Sequence, residues 1–262
     1  MPRQTPPPRV LRHRTSPPDV LERVPLARAL SKLGAASRAE AHRAIADGRV
    51  RVNGRVERRA DHMVSPERDR IDLDGIRARR PAWRALLLHK PRGVITTRRD
   101  PQGRRTVFDL LPAGAPSLVA VGRLDLATTG LLLLTTDTKL ADWLTDPEHG
   151  VERTYVVTVR GELDTAAAAR LCDGLVHRGE RLRAGRVDVR KASRRESHAT
   201  VVLTEGRNRE VRRLFEALGH EVTALARVQF GGLALGRLAP GAWREITRAE
   251  MRAAFPAAPL PR

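Results

Sequence analysis

Asp125 stands in the stretch VGRLDLATTGLLLLTTD, residues 121–137, six positions ahead of a run of four leucines, Leu131–Leu134. A carboxylate at the mouth of an apolar run has two uses. It can accept hydrogen bonds from backbone amides and cap a tight turn, which is the commoner fate of a loop aspartate. Or it can serve as a general base or a nucleophile, in which case it must stay ionised and meet a substrate. Spacing alone favours the cap. A half-buried carboxylate left alone drifts toward its neutral form, so the second use requires a cation nearby. Arg212 is the candidate. In REVRRLFEALG, Val211, Leu214, Phe215 and Leu218 form one apolar helical stripe. At about 100° per residue, Arg212 falls on the border of that stripe, while Arg209 and Arg213 point further away. Tyr155, the single tyrosine, alternates with valines in ERTYVVTV and would face either a site or the core.

The segments around these residues read as a mixed fold. Ala85 onward shows short apolar runs separated by turns: ALLLHK, GVITT, SLVAV, GLLLLTT, TYVVTV and ATVVLT. Helical patterns are fewer, near 140–146, 164–175 and 209–219. Strand runs without regular intervening helices argue for a mostly antiparallel sheet with helices packed on it, an α+β arrangement. Asp125 then belongs in a loop opened by Gly122 and closed by Gly130, with Leu131–Leu134 as a short buried strand.

Residues 25–78 read as a separate unit. Leu26, Leu30 and Leu33 have helical spacing. Ser37 and Glu40 form a capping-box pattern that starts a second helix. Gly48 sits where a left-handed C-cap belongs. Asn53–Gly54 centres a hairpin in which Val50, Val52 and Val56 alternate with Arg49, Arg51 and Arg55, suggesting one apolar face and one arginine face. The expected organisation is a disordered basic tail at 1–24, the small unit at 25–78, a linker at 79–84, a catalytic unit at 85–250 and a C-terminal tail at 251–262.

The 262 residues carry 49 Lys and Arg against 30 Asp and Glu, a formal net charge of +19. That excess calls for a polyanion partner, nucleic acid first. Aromatic residues make up 3% of the chain, too few for an extended base-stacking platform, so one base in one pocket is easier to support. Cys172 is the lone cysteine and the eight histidines are scattered, which argues against a disulfide or a metal site. No apolar stretch approaches the roughly 18 residues of a membrane span, and no signal peptide is legible, so a cytoplasmic protein is expected. The glycine-rich loops of nucleotide cofactor sites are missing as well.

Residues 26–56, LARALSKLGAASRAEAHRAIADGRVRVNGRV, resemble the small RNA-binding domain named after ribosomal protein four of the small subunit, the alpha-L motif. The stretches HKPRGVITT, DPQGRRTVFDLLP, VGRLDLATTGLLLLTTD, DPEHGVERTYVVTV and EGRNREVRRLFEALGHEV occur in that order. Together they resemble the bacterial ribosomal RNA pseudouridine synthases, over roughly residues 26–250. The resemblance implies conversion of a uridine in ribosomal RNA to its carbon-linked isomer, without metal or cofactor. It makes Asp125 the catalytic carboxylate, as nucleophile or as base, with Arg212 its paired arginine and Tyr155 the residue stacking on the uracil. Arg123 would fill the gap left by an extruded base or hold a phosphate, since the glycosidic bond is out of reach inside a stack. Arg38, Arg43, Arg49, Arg51 and Arg55 become the phosphate-contacting surface of the small domain. DPQGRRTVFDLLP resembles the branch acting on large-subunit RNA. The chain departs from the family pattern at Arg153 for Lys, Glu210 for Gln, Gly232 for Pro, and TTDT for TNDG.

The expected partner is ribosomal RNA or a pre-ribosomal particle, met by a monomer with neither membrane nor small-molecule cofactor. Two other readings compete. A non-catalytic RNA-binding or ribosome-associated factor would not need Asp125, Tyr155 and Arg212 together. A methyltransferase fused to the same small domain would need a glycine-rich cofactor loop. The geometric expectation is an Asp125–Arg212 contact at about 2.7–3.5 Å, with Tyr155 at the same pocket and Arg123 at its rim.

Overall fold

The computed structural model describes residues 23–112 and 117–260. Most of the tail expected at 1–24 lies outside the described residues. The chain divides into two compact units at Arg79/Arg80.

In the first unit, β1 (Val24–Pro25) leads into α1 (Leu26–Lys32) and α2 (Arg38–Ala46). The second helix starts as its sequence dictates: the Ser37 hydroxyl accepts from the Glu40 backbone N–H while the Glu40 carboxylate accepts from the Ser37 N–H. Strands β2 (Val50–Val52), β3 (Arg55–Val56), β4 (Met63–Val64), β5 (Ile71–Leu73) and β6 (Ile76–Arg77) follow. They form a four-stranded sheet in the order β3-β2-β5-β6, with β1 paired to β4. Leu26, Leu30, Ile45, Val50, Val64 and Ile71 close one core. Val24, placed in the tail on sequence grounds, belongs to this core.

The hairpin does not have a single arginine face. The two-residue Asn53–Gly54 turn pairs Val52 with Arg55 and Arg51 with Val56. Directly opposed residues share a face, so Arg51 lies on the same side as Val56, which is left 45% exposed, and Arg55 lies on the side of Val52. Alternation along each strand was legible; the parity set by the turn divides the arginines between faces.

The second unit opens with β7 (Ala85–Lys90), β8 (Val119–Ala120), β9 (Thr129–Thr135) and α3 (Thr138–Thr145). Next come β10 (Arg153–Arg160), α4 (Thr165–Asp173), β11 (Leu175–His177), β12 (Glu180–Leu182), β13 (Arg186–Lys191) and β14 (Glu196–Leu203). The unit closes with α5 (Glu210–Glu216), β15 (Val222–Phe230), β16 (Leu233–Ala234), β17 (Trp243–Glu245) and α6 (Arg248–Ala254). The large sheet runs β13-β14-β10-β15-β9-β7-β17, with β8 beside β9 and β16 beside β15. Its pairings are antiparallel except β9 with β15. The fold is therefore the mixed, mostly antiparallel α+β arrangement the sequence predicts.

The leucine run has a simple cause. Strand β9 is central and covered on both faces, so it needs apolar side chains at every position rather than alternate ones. Leu132 and Leu134 join a core with Val157, Leu171 of α4 and Leu214 of α5. Leu131 and Leu133 join the opposite core with Leu144 of α3 and Met251 of α6.

Two expectations are corrected. GVITT forms no strand beyond an isolated bridge of Ile95 with Thr106; the backbone of Ile95 pairs locally with Arg105 and Val107, and the Thr96 hydroxyl reaches the loop ahead of β9. The catalytic unit does not stop at 250: that boundary falls inside α6, and Met251 and Phe255 are core residues.

Gly130 sits where β9 runs parallel to β15, opposite Arg227. Its φ is +106°, and a β-carbon there would strike the Arg227 backbone carbonyl. Gly130→Ala therefore meets both strain and a clash with main chain that cannot swing aside. We expect a loss of at least about 2 kcal/mol of stability, read as a fall in the urea midpoint with unchanged slope.

Candidate active site

The loop 122–128 joins β8 to β9 and carries Asp125. Four tethers shape it. Thr96 Oγ1 donates to the Leu124 carbonyl at 2.9 Å and accepts from the Leu124 N–H at 3.3 Å. The Gly93 N–H donates to the Leu126 carbonyl at 2.9 Å, and the Thr128 N–H to the Asp125 carbonyl at 3.0 Å. Lys90, fully buried at the end of β7, donates from Nζ to the carbonyls of Thr128 at 2.8 Å and Pro91 at 3.1 Å. Leu124 is buried and pins the loop from inside. Among the described residues no backbone N–H donates to the Asp125 carboxylate, whose side chain is 36% exposed. The loop is held by its backbone, and the carboxylate is left for other work. The capping role that spacing favoured does not apply.

Cations surround this carboxylate. The nearest is Arg209, with Nη1 at 3.8 Å from Asp125 Oδ2. The expected direct contact with Arg212 is not formed. Arg212 Nη1 donates instead to the Val222 carbonyl at 2.9 Å, and its Nε is buried without a partner among the described residues. Burial and the neighbouring Arg209 lower the Arg212 pKa, while Asp125 opposes that shift. Helical spacing misjudged Arg209 because Arg209 is not in the helix. It is the N-cap of α5 with φ 49° and ψ 33°, and this left-handed turn redirects the side chain.

Lys90 was singled out by no sequence reading. Burial pulls its ammonium down to about 8, against the pull of Asp125 in the other direction. Its signal was a lysine ending an otherwise buried strand in ALLLHKP, where a charge is rarely fully enclosed.

A cavity of about 210 Å³ lies beside the loop, lined among others by Arg123, Asp125, Tyr155, Arg209, Glu210 and Arg227. Tyr155 is 9% exposed on β10, on the same face as Val157 and Val159. Arg123 is exposed. Three of the residues expected at one site, Arg123, Asp125 and Tyr155, thus share a cavity wall. Arg212 is not among its lining residues. Arg153, on β10, is 4% exposed and donates to the carbonyls of Val151, Thr204 and Leu144.

Glu210 opens α5 and is 3% exposed. One carboxylate oxygen accepts from the Arg207 N–H at 3.0 Å; the other is buried with no donor. Burial, reinforced by the adjoining Glu205 carboxyl, pushes Glu210 up to about 7, with the Arg207 N–H pulling the other way. A carboxyl raised in the folded state stabilises the fold fully below its unfolded value, and that stability is lost as pH rises through about 7. We expect wild type to lose roughly 1–3 kcal/mol between pH 5 and pH 8 through this group, and Glu210→Gln, isosteric and uncharged, to lose correspondingly less. Melting temperatures of both proteins across that range check this.

In the first unit, Arg38, Arg43, Arg49, Arg51 and Arg55 are all exposed. Arg49 is engaged by the Asp74 carboxylate through two hydrogen bonds at 2.7 and 2.5 Å.

Residues 84–217 match the RNA pseudouridylate synthase family and residues 24–71 match the S4 domain. The chain is 41% identical over 233 residues to a ribosomal large subunit pseudouridine synthase B of Yersinia pestis, covering 84% of this chain and 72% of that protein. A protein of the same name from Haemophilus influenzae is 40% identical, with 84% of this chain and 64% of the relative covered. An uncharacterized RNA pseudouridine synthase of Aquifex aeolicus is 34% identical, with 88% and 93% covered. A crystal structure of a pseudouridylate synthase superposes with a TM-score of 0.63 at 27% identity, over 87% of this chain and 98% of that one.

Proposed function

The chain belongs to the RNA pseudouridylate synthase family and carries an S4 domain in front, and we propose that it isomerises a uridine of large-subunit ribosomal RNA to pseudouridine through Asp125. The observation that carries the residue assignment is the freedom of the Asp125 carboxylate. Its loop is fixed by backbone tethers, its oxygens are released from backbone amides, and it opens on a cavity beside Tyr155. In this reading the target nucleotide leaves its stack, the uracil enters against Tyr155, and Asp125 meets the ribose. The carboxylate either attacks C1′ or removes the neighbouring ribose proton. Arg123 and Arg209, both exposed, take the flanking phosphates. The reading takes the enzyme as a cytoplasmic monomer that needs neither metal nor cofactor, since the leaving base and the attacking carbon belong to one substrate.

The S4 unit supplies affinity. Arg38, Arg43, Arg51 and Arg55 are exposed toward phosphate, although Arg51 Nη1 also donates to the Gly54 carbonyl at 3.1 Å, whereas Arg49 already has the Asp74 carboxylate. Carbon five of the uracil must lose its hydrogen, so RNA labelled with tritium there reports turnover. We expect release from large-subunit transcripts and little from small-subunit ones; equal release from both would remove the subunit assignment. Replacing these four exposed arginines by alanine should weaken RNA binding and flatten its salt dependence by roughly 0.7–0.9 for each phosphate that is no longer neutralised, with little change in single-turnover rate at saturation.

A further inference from the structure

Arg227 lies on β15, opposite Tyr155 on one side and Gly130 on the other. It is 3% exposed and lines the cavity that Asp125 and Tyr155 share. Its Nε donates to the Leu131 carbonyl at 2.8 Å, and its guanidinium carbon lies 5.1 Å from the Phe230 ring centroid. Its Nη2 is buried and has no acceptor among the described residues, and no carboxylate among them lies within 4 Å of the guanidinium. Arg153, the other buried arginine on this wall, differs. Three carbonyls take up its Nη donors.

An enclosed guanidinium without a counter-charge is expensive to keep, and an orphaned buried donor costs about 1–3 kcal/mol on its own. Such a group is retained where negative charge arrives with a substrate. A phosphate is a poor fit for this one. The strand register sets Arg227 beside Tyr155 in the sheet, whereas the exposed arginines at the cavity edge are within easier reach of an RNA backbone. What can enter to the depth of Tyr155 is a single base.

We propose that Arg227 is a further catalytic residue, donating from its free Nη2 to a carbonyl oxygen of the uracil and stabilising the uracil anion while it is detached from the ribose. The proposal rests on the reading of this cavity as the uridine-isomerising site. When the C1′–N1 bond breaks, its electron pair leaves with the uracil and spreads over N1, O2 and O4. A cationic donor in a water-poor cavity is worth most at the moment that charge appears. When the C1′–C5 bond forms, C5 gives up its proton and N1 takes one, so the charge vanishes again and nothing is consumed.

The experiment uses the full chain and a synthetic RNA segment spanning the modified position, carrying uridine, 2-thiouridine or 4-thiouridine there. Sulfur accepts hydrogen bonds weakly, so one of the two thio-substrates should slow wild type, and which one identifies the oxygen. Arg227→Lys and Arg227→Met should slow single-turnover isomerisation of the uridine RNA by about 100-fold, with RNA affinity within about threefold. On the sensitive thio-substrate the variants should lose little more, because the interaction is already gone. Wild-type rates equal on all three RNAs would overturn the proposal even if both variants failed to fold. Variants that bind RNA weakly but react at the normal rate would assign Arg227 to the RNA backbone and overturn it too. A wild type inert on every RNA would instead overturn the function on which the proposal rests.

Discussion

Asp125→Asn is expected to slow pseudouridine formation by at least about 10³-fold in single turnover, while RNA affinity and melting temperature stay close to wild type. The amide has the size and shape of the carboxylate but can neither attack an anomeric carbon nor take a proton. The fold has little stake in the exchange. The loop is held through Thr96, Gly93 and Lys90, all of which bond to backbone, and no backbone amide among the described residues depends on the side chain. The carboxylate is also the nearest anion to Arg209, but that contact is long and solvent-exposed and contributes little to stability. A variant retaining turnover within about tenfold of wild type would remove Asp125 from the chemistry.

The second large effect separates two arginines. Arg209 stands nearest the carboxylate, yet its side chain is 53% exposed and water screens it. Arg212 is half-buried, feels Asp125, and keeps one buried donor unsatisfied. A charge in a poorly hydrated setting acts more strongly on a developing transition state than an exposed one at similar range. We therefore expect Arg212→Met to lower the single-turnover rate by roughly 100-fold, equal to about 2.7 kcal/mol. Arg209→Ala should lower it less than about tenfold and mainly weaken RNA binding in a salt-dependent way. Single-turnover rates at saturating enzyme, with affinities measured separately over a salt series, distinguish the two. The reverse ranking would mean that the ion pair seen at 3.8 Å, and not the half-buried arginine, sustains the reaction.

The capping box at Ser37 and Glu40, the Asn53–Gly54 turn and the strand at Leu131–Leu134 were legible because each rests on local rules of backbone geometry, although β9 starts at Thr129 and takes in Gly130 as well. The four leucines were legible as buried but not as two-faced, since only the sheet order reveals that β9 lies between β15 and β7. Arg209 was misread for a local reason of a different kind. Helical angles are meaningful inside a helix, and one left-handed residue at the N-cap cancels them. Lys90 and Arg227 were invisible for a third reason. They are charged residues at strand positions, and their burial follows from what packs around them: Phe230 lies three residues beyond Arg227 on the same strand, but the Asp125 loop that Lys90 holds is remote in sequence. The split of the hairpin arginines turns on the parity of a two-residue turn. Helix α6 carries Met251 and Phe255 into the core, and that segment follows the last family-like motif, where periodicity over seven residues was too short to notice.

The most direct measurement is nucleotide-resolution mapping of pseudouridine in unmodified large-subunit ribosomal RNA after incubation with purified wild-type chain or with Asp125→Asn. The predicted result is a pseudouridine formed at a defined position by wild type and missing at that position with the variant, at equal occupancy of the RNA. Pseudouridine formed equally by both proteins, or by neither while both bind the RNA, would contradict the account.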